Sequence, residues 1–250
     1  MKLYFAGADN KTSYAMLRKF KVDCLMSYYG LRSQGLGFVE KPIFLDSGAF
    51  TAFTKKVKID LDDYIGFIKE NKSSTTVYAN LDVIGDWEAT KKNQEYMEAH
   101  GVKPLPTFHY GSPLEELRRM VKRYNYIALG GLVPLAKHRP VLKNWLDVCY
   151  GIIQDKAKVH GFGVNALWAW KRYPFYSVDA TSWLVPSRYG QFTEMVGEEV
   201  RSHGKTSRTE YGKDLMLRDS KKLLELQIQE YVKMQEFVTR LWEARGVKWD

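Results

Sequence analysis

Only two cysteines, Cys24 and Cys149, occur in the 250 residues, which excludes a disulfide scaffold and also a zinc site built from three or four thiolates. Both thiols are expected to sit reduced in the core. No stretch approaches the ~18 consecutive apolar residues of a membrane span, and the N-terminus lacks the charged, apolar and small-residue order of a signal peptide. A cytoplasmic protein without membrane contact is the expectation. Internal repeats and low-complexity segments are missing as well. What is present is core material, 45% hydrophobic against 27% charged residues, so a disordered chain is excluded. The length suits one large core, read as a single domain over 1–250. Acidic residues are the scarcer charge, 29 against 38 basic ones, for a formal net charge of +9. That excess favours a polyanionic partner such as nucleic acid, although many soluble basic proteins bind none.

Short apolar runs rich in β-branched and aromatic residues alternate with amphipathic stretches, the pattern of a parallel sheet with helical crossovers. The runs are Leu3 to Ala6, Cys24 to Tyr28, Ile43 to Asp46, Val77 to Leu81, Leu105 to His109, Tyr126 to Leu129, Val159 to Gly163 and Phe175 to Val178. Eight runs close a (β/α)8 TIM barrel, and ~250 residues is its usual size; an open doubly wound sheet is the alternative. Asp60 to Asn71, Trp87 to His100 and Leu114 to Tyr124 read as crossover helices, the last opened by Ser112 as cap with Pro113 in the first turn. Gly30 to Lys41 reads as a loop or broken helix. After the eight repeats (1–185), 186–250 comprises a basic stretch, Pro186 to Lys213, read as a solvated loop with a helix, and a C-terminal helix. Leu224, Ile228, Tyr231, Val238 and Trp242 recur on one face of that helix. The face is expected to pack on the barrel, with a homodimer contact as the alternative.

In such a barrel the working residues lie where strands end and the following loops begin. The third run ends in Asp46-Ser47-Gly48-Ala49-Phe50, the fourth in Asp82, the fifth in His109-Tyr110-Gly111, the sixth in Gly130-Gly131-Leu132, the seventh in His160-Gly161-Phe162-Gly163 and the eighth in Ser177-Val178-Asp179. Three carboxylates therefore face one mouth. A single aspartate there is as readily a helix cap, but three beside glycines that admit a ligand to the backbone point to a pocket. Paired carboxylates at a sugar carbon have a specific logic: one attacks C1 to give a glycosyl ester while the other shuttles the proton of the departing group. A purine leaving a nucleoside fits the same scheme. Phe50 is suited to stack on a flat base, Asp82 to accept from its N–H groups, and the Gly130-Gly131 backbone to reach its carbonyl. Two histidines and three aspartates could instead hold a metal, but the His-x-His pair of the barrel amidohydrolases is missing, and no metal or other cofactor is expected.

Taken together, Asp46-Ser47-Gly48-Ala49-Phe50, Gly130-Gly131-Leu132, His160-Gly161-Phe162-Gly163 and Ser177-Val178-Asp179 resemble, in order, the signature motifs of the queuine and archaeosine tRNA-guanine transglycosylase superfamily. The resemblance runs from about Phe44 to Trp183. It implies a (β/α)8 barrel in which Asp179 is the nucleophile on C1′ of the target guanosine and Asp46 the general acid/base. It also implies base recognition by Asp82 with Gly130 and Gly131; Phe50, Ser47, Gly48, His109 and His160 are further candidates for contact with the base, His160 reading more simply as a hydrogen-bonded strand residue. Departures narrow it. No cysteine follows Cys149, so the zinc subdomain of the tRNA enzymes is absent, there is no room for the archaeal tRNA-binding domain, and the glutamine usual after the fifth strand is replaced within Phe108-His109-Tyr110-Gly111. Ala49 stands where glycine is usual. A compact member without zinc resembles the DpdA-like branch, including phage-borne forms, which exchanges guanine in DNA for a 7-deazaguanine such as preQ0. Carbon at position 7 removes a major-groove acceptor, so protection from restriction nucleases is the implied purpose.

Such an enzyme needs DNA and a free 7-deazaguanine base as partners, a basic surface at the mouth, and a flipped guanine, since C1′ is out of reach inside an intact helix. Lys55, Lys56 and Lys58 after the third strand, Lys171 and Arg172 after the seventh and Arg188 after the eighth are the candidate phosphate contacts. Arg118, Arg119, Lys122 and Arg123 read instead as the solvated face of a crossover helix. Trp168, Trp170 and Trp183 read as packing residues, one of which could wedge into the gap left by the flipped base. Competing expectations are the same chemistry on tRNA, a barrel glycoside hydrolase using Asp46 and Asp179, and a nucleic-acid-binding barrel without chemistry.

Overall fold

The computed structural model describes residues 1–189, 191–204 and 220–249. Eight parallel strands form one sheet: β1 (Lys2–Ala6), β2 (Asp23–Ser27), β3 (Ile43–Asp46), β4 (Thr75–Tyr78), β5 (Thr107–His109), β6 (Tyr126–Gly130), β7 (Lys158–Gly161) and β8 (Ser177–Ala180). Their order is β4-β3-β2-β1-β8-β7-β6-β5. β8 returns to pair with β1, Tyr4 opposite Asp179, and the remaining seam is joined by a single parallel bridge, Ala79 to Leu105. The fold is thus an α/β TIM-type barrel, as the eight runs predict. β5 is shorter than its apolar run because Pro104 and Pro106 flank Leu105 and have no N–H to give the ladder.

Period-two alternation divides the strand residues into two cores. Tyr4, Ala6, Leu25, Phe44, Ala79, Leu105 and Ala128 fill the barrel. Leu3, Phe5, Cys24, Met26, Ile43, Leu45, Ile127, Leu129, Val159 and Val178 face outward into the shell of helices. The same alternation turns Asp46, His109, Gly130, His160, Ser177 and Asp179 inward, because each stands an even number of steps from an inward residue of its own strand or opposite one on its neighbour.

Helices connect the strands: α1 (Lys11–Lys19), α2 (Tyr28–Leu31), α3 (Ala49–Thr54), α4 (Leu61–Glu70), α5 (Trp87–Ala99), α6 (Leu114–Arg123), α7 (Arg139–Ile153), α8 (Leu167–Arg172), α9 (Val185–Tyr189) and α10 (Ser220–Glu243). Asp60 caps α4 by accepting from Asp62 N and Asp63 N at 2.9 and 3.0 Å, and Asp86 caps α5 through Ala89 N at 2.9 Å. α6 corrects one expectation: its N-cap is Pro113, with no side-chain cap from Ser112. Gly30 to Lys41 holds only the end of the single-turn α2, followed by turns. Both cysteines are buried and unbonded, and burial pushes their thiols up to about 12.

The described residues of the basic stretch after β8 hold strands as well as the expected helix. They contain α9 and an antiparallel hairpin, β9 (Phe192–Val196) with β10 (Glu199–His203). Sequence alone masks this hairpin because β10, Glu-Val-Arg-Ser-His, is nearly all exposed and carries no apolar alternation. Its anchor is α10: buried Gln227 accepts from Thr193 N and donates to Thr193 O, and buried Glu230 accepts from Met195 N. The same face of α10 buries Tyr231, Met234 and Val238, with Ile228 beside them, in the hydrophobic core, and Leu224 and Trp242 pack partly buried against it, as expected. Lys205, Arg208 and Lys213 lie outside the described residues. No helix among the described residues is long and apolar enough to cross a membrane.

Candidate active site at the carboxyl ends of the strands

Asp46 ends β3, and its Oδ2 accepts a 2.9 Å hydrogen bond from Gly48 N. The turn depends on Gly48, which caps α3 at φ 78° in the left-handed region. A Cβ there would stand 2.5 Å from Cβ of Tyr29 and closer still to Ser27 Oγ. Gly48→Ala is therefore expected to cost about 2–4 kcal/mol from strain and overpacking together, read as a lower urea midpoint. Ala49, by contrast, begins α3 and is not in the left-handed region, so its backbone requires no glycine.

Desolvation raises the Asp46 pKa to about 7, opposed by the Gly48 N–H and reinforced by the charges of Asp82, Asp179 and Asp9. Asp46 is thus poised to give or take a proton near neutrality. Among these charges Asp9 is one that strand ends alone do not reveal. Asp9 follows β1 beyond the break at Gly7, accepts from Ser27 N at 2.9 Å and is itself raised by desolvation, against the Ser27 hydrogen bond.

Asp179, on β8, is buried. Its Oδ1 accepts from Gly163 N at 2.9 Å, across from the end of β7, and lies 3.5 Å from His160 Nε2. No hydrogen bond from the described residues reaches Oδ2. Neither Asp46 nor Asp179 caps a helix: Gly48 holds that position for α3, and Thr181 for the 3₁₀ turn after β8. The capping role that Asp60 and Asp86 fill for α4 and α5 does not account for these two strand-end aspartates.

Asp82 pairs with His109 instead, Oδ2 to Nε2 at 3.1 Å, with both side chains largely enclosed. Burial alone would lower the His109 pKa, but the charge and hydrogen bond of Asp82 outweigh it and the net shift is upward. Asp82 Oδ1 is buried without a partner, a vacant acceptor on an otherwise occupied carboxylate. Gly130 is explained by this pair: a Cβ would meet Thr107 Cγ2 at 2.7 Å and the His109 ring at 2.9 Å. It makes room for His109. Gly131, at φ 68°, is exposed. Ser47 is buried, and its Oγ lies 3.4 Å from Ala49 N. His160 is fully buried in the barrel among Tyr4, Phe44 and Phe162, and burial lowers its pKa despite the Asp179 carboxylate.

At the rim, Phe50 and Phe53 of α3 are 56% and 59% exposed, too large a fraction for residues needed only for packing. The following Lys55, Lys56 and Lys58 are also exposed. Lys55 Nζ lies 5.2 Å and the Arg32 guanidinium 4.0 Å from the Tyr29 ring centroid, joining Tyr29 and Arg32 to a basic, aromatic patch. Lys171 and Arg172 do not belong to it. They end α8 immediately before the chain turns into the start of β8, which places them at the opposite end of the barrel. Lys171 is tied to Glu198 at 3.0 Å and Arg172 to Asp147 at 2.9 Å. The expected position after the seventh strand fails because α8, only six residues long, carries both residues past the mouth to its own end. The Arg188 side chain lies outside the described residues. Trp170 and Trp183 are fully buried, donating to Val164 O and Ala6 O, so neither can wedge into DNA. Arg118, Arg119 and Arg123 pair with Glu115, Glu116 and Glu98 on the outer face.

A cleft of about 820 Å³ opens elsewhere, at the starts of β4, β5 and β6 between Thr76, Lys103, Pro106 and Tyr126. In TIM barrels that end carries stability rather than chemistry, so the carboxylate end remains the candidate site. Among the described residues, no three His, Cys, Asp or Glu side chains converge as metal ligands do.

No known sequence family matches this chain, and no curated protein does. Among solved structures, a chain from the tryptophan synthase α2β2 complex of the hyperthermophile Pyrococcus furiosus superimposes with a TM-score of 0.52, covering 93% of this chain and 97% of that one at 12% sequence identity. At that identity the likeness establishes a shared barrel fold alone.

Proposed function

We propose that the protein is a pentosyltransferase that exchanges guanine in DNA for a 7-deazaguanine base through a covalent aspartyl-deoxyribose intermediate. The observation that carries the reading is the unequal treatment of two inward carboxylates on one mouth. Asp46 is raised to about 7, while Asp179 is anchored through Oδ1 by Gly163 with Oδ2 unengaged. An acid and a nucleophile are the two roles that glycosidic exchange requires.

In the first half, Asp179 Oδ2 attacks C1′ of a flipped deoxyguanosine, the C1′–N9 bond breaks, and the Asp46 proton passes to the departing guanine. In the second, Asp46 takes the N9 proton of the incoming 7-deazaguanine, N9 attacks C1′, and the ester to Asp179 breaks. One glycosidic bond is exchanged for another, so no nucleotide triphosphate is consumed. The Asp82–His109 pair offers an acceptor and a donor to the edge of the base, and the exposed Phe50 a stacking face. DNA is favoured as substrate by the patch of Lys55, Lys56, Lys58, Arg32 and Tyr29, suited to phosphates and unstacked bases.

Nucleoside mass spectrometry of DNA and tRNA from cells making the protein, supplied with preQ0, tests the reading. The expected result is a deazaguanine deoxynucleoside in DNA. Modified tRNA with unmodified DNA would transfer the same chemistry to RNA, and release of free sugar from glycosides would favour a hydrolase.

A further inference from the structure

Beneath Asp179 the barrel interior holds a chain of polar groups that the exchange chemistry does not use. Tyr126 Oη and Ser177 Oγ are 2.6 Å apart, Ser177 Oγ and His160 Nδ1 2.7 Å, and His160 Nε2 and Asp179 Oδ1 3.5 Å. Strand register assembles it. Ser177 and Asp179 share the inward face of β8, His160 is the register partner of Ser177 on β7, and Tyr126 points inward from β6. His160 and Ser177 are both 0% exposed, so no water competes for the bond between them. The rings of Tyr4, Phe44 and Phe162, with centroids 6.2, 4.7 and 4.4 Å from that of His160, hold the imidazole plane.

A neutral imidazole has one N–H and one bare nitrogen. With the proton on Nδ1, the lone pair of Nε2 would face a carboxylate oxygen, two acceptors opposed in a dry cavity. With the proton on Nε2, each donor has an acceptor: Tyr126 O–H to Ser177, Ser177 O–H to His160 Nδ1, and His160 Nε2–H toward Asp179 Oδ1. Burial holds the Tyr126 phenol well above its ordinary range, so it keeps the proton it donates. Nε2 has no hydrogen-bond partner at its present 3.5 Å separation, and a small shift of the carboxylate would bring it into reach. Such bonds are often long before substrate arrives and tighten in the transition state.

We infer that His160 is a positioning residue for Asp179: Tyr126 and Ser177 lock its Nε2–H tautomer, which joins the Gly163 N–H in holding Oδ1 and keeps Oδ2 turned toward the sugar. The role rests on the proposed nucleophile. A neutral donor orients the carboxylate without the full ion pair that would blunt its attack, and loss of the chain lowers the rate of ester formation and leaves DNA binding unchanged.

The test uses the full-length chain labelled with ¹⁵N-histidine, whose ring-nitrogen shifts report tautomer independently of any activity, with His160→Gln identifying its signals among the five histidines. The expected signature is a neutral Nε2–H imidazole, lost or mixed in Ser177→Ala. In parallel, Ser177→Ala and Tyr126→Phe, checked for native circular dichroism, should slow adduct formation roughly tenfold with KM for DNA unchanged, as for one lost hydrogen bond. His160→Gln, which can place an amide N–H near Asp179, should retain more rate than His160→Leu. An Nδ1–H tautomer or an imidazolium overturns the inference, as does equal activity of the Gln and Leu variants. If either occurs while wild-type protein forms its adduct, the inference alone fails. A wild-type protein that forms no adduct with DNA in any pH or base condition removes the transglycosylase reading and this role with it.

Discussion

Asp179→Asn is expected to abolish the denaturant-resistant protein–DNA adduct and to reduce base exchange by on the order of 10⁴-fold or more, the scale seen when a covalent nucleophile is removed. The substitution is nearly isosteric. Asparagine can still present an oxygen to Gly163 N, whose 2.9 Å bond fixes the side chain, so the barrel and the DNA surface should survive. What is lost is an anionic oxygen able to form an ester with C1′. Denaturing gel electrophoresis of protein incubated with labelled guanine-containing DNA checks the adduct, and fluorescence anisotropy with the same DNA checks binding. A normal adduct in Asp179→Asn would remove Asp179 from the nucleophile role, and a simple loss of affinity would make it a binding residue.

The barrel and most of the site were legible in the sequence because both depend on alternation. Asp46, Asp82, His109, Gly130 and Asp179 each end or directly follow an apolar run, and once the runs are strands of a barrel their ends share a mouth, whereas His160 lies within its run and is fully buried. Three kinds of information were not legible. Asp9 is separated from β1 by Gly7 and Ala8, so nothing local marks it as a neighbour of Asp46. The actual use of Gly130, room for the His109 ring, is a cross-strand packing fact that a Gly-Gly pair equally suited to a ligand conceals. Charge was the least legible: Lys171 and Arg172 carry the same formal charge as Lys55 and Lys56, but the first two are engaged by Glu198 and Asp147 at the other end of the barrel. Net charge therefore overstates the cationic surface available to a polyanion, and the patch around Tyr29 and α3 is one part of it that lies at the mouth.

Asp46→Asn is expected to damage catalysis and strengthen the fold at once. An amide cannot shuttle a proton, so exchange should fall by roughly 10²–10⁴-fold, the usual contribution of a positioned acid or base, while DNA affinity stays within about twofold of wild type. The wild-type rate of adduct formation should decline as pH rises through about 7, where Asp46 loses the proton that the departing base needs; the residual rate of the variant should lack that limb. Stability moves the other way. The folded pKa of Asp46 lies above its unfolded value, so its protonated form favours the native state, and that stabilisation is present below about pH 4 and is lost as pH rises toward 7. Above 7 the wild-type barrel carries a desolvated carboxylate beside Asp82, Asp179 and Asp9. Asparagine removes that charge yet can keep the acceptor for Gly48 N, so the variant's Tm should exceed that of wild type at pH 8 and the difference should shrink on acidification to pH 4. Thermal melts across that range, paired with adduct rates, separate the outcomes. A variant less stable than wild type at pH 8 would make Asp46 a structural residue, whereas higher stability with lost exchange is the signature of a strained carboxylate retained for its chemistry.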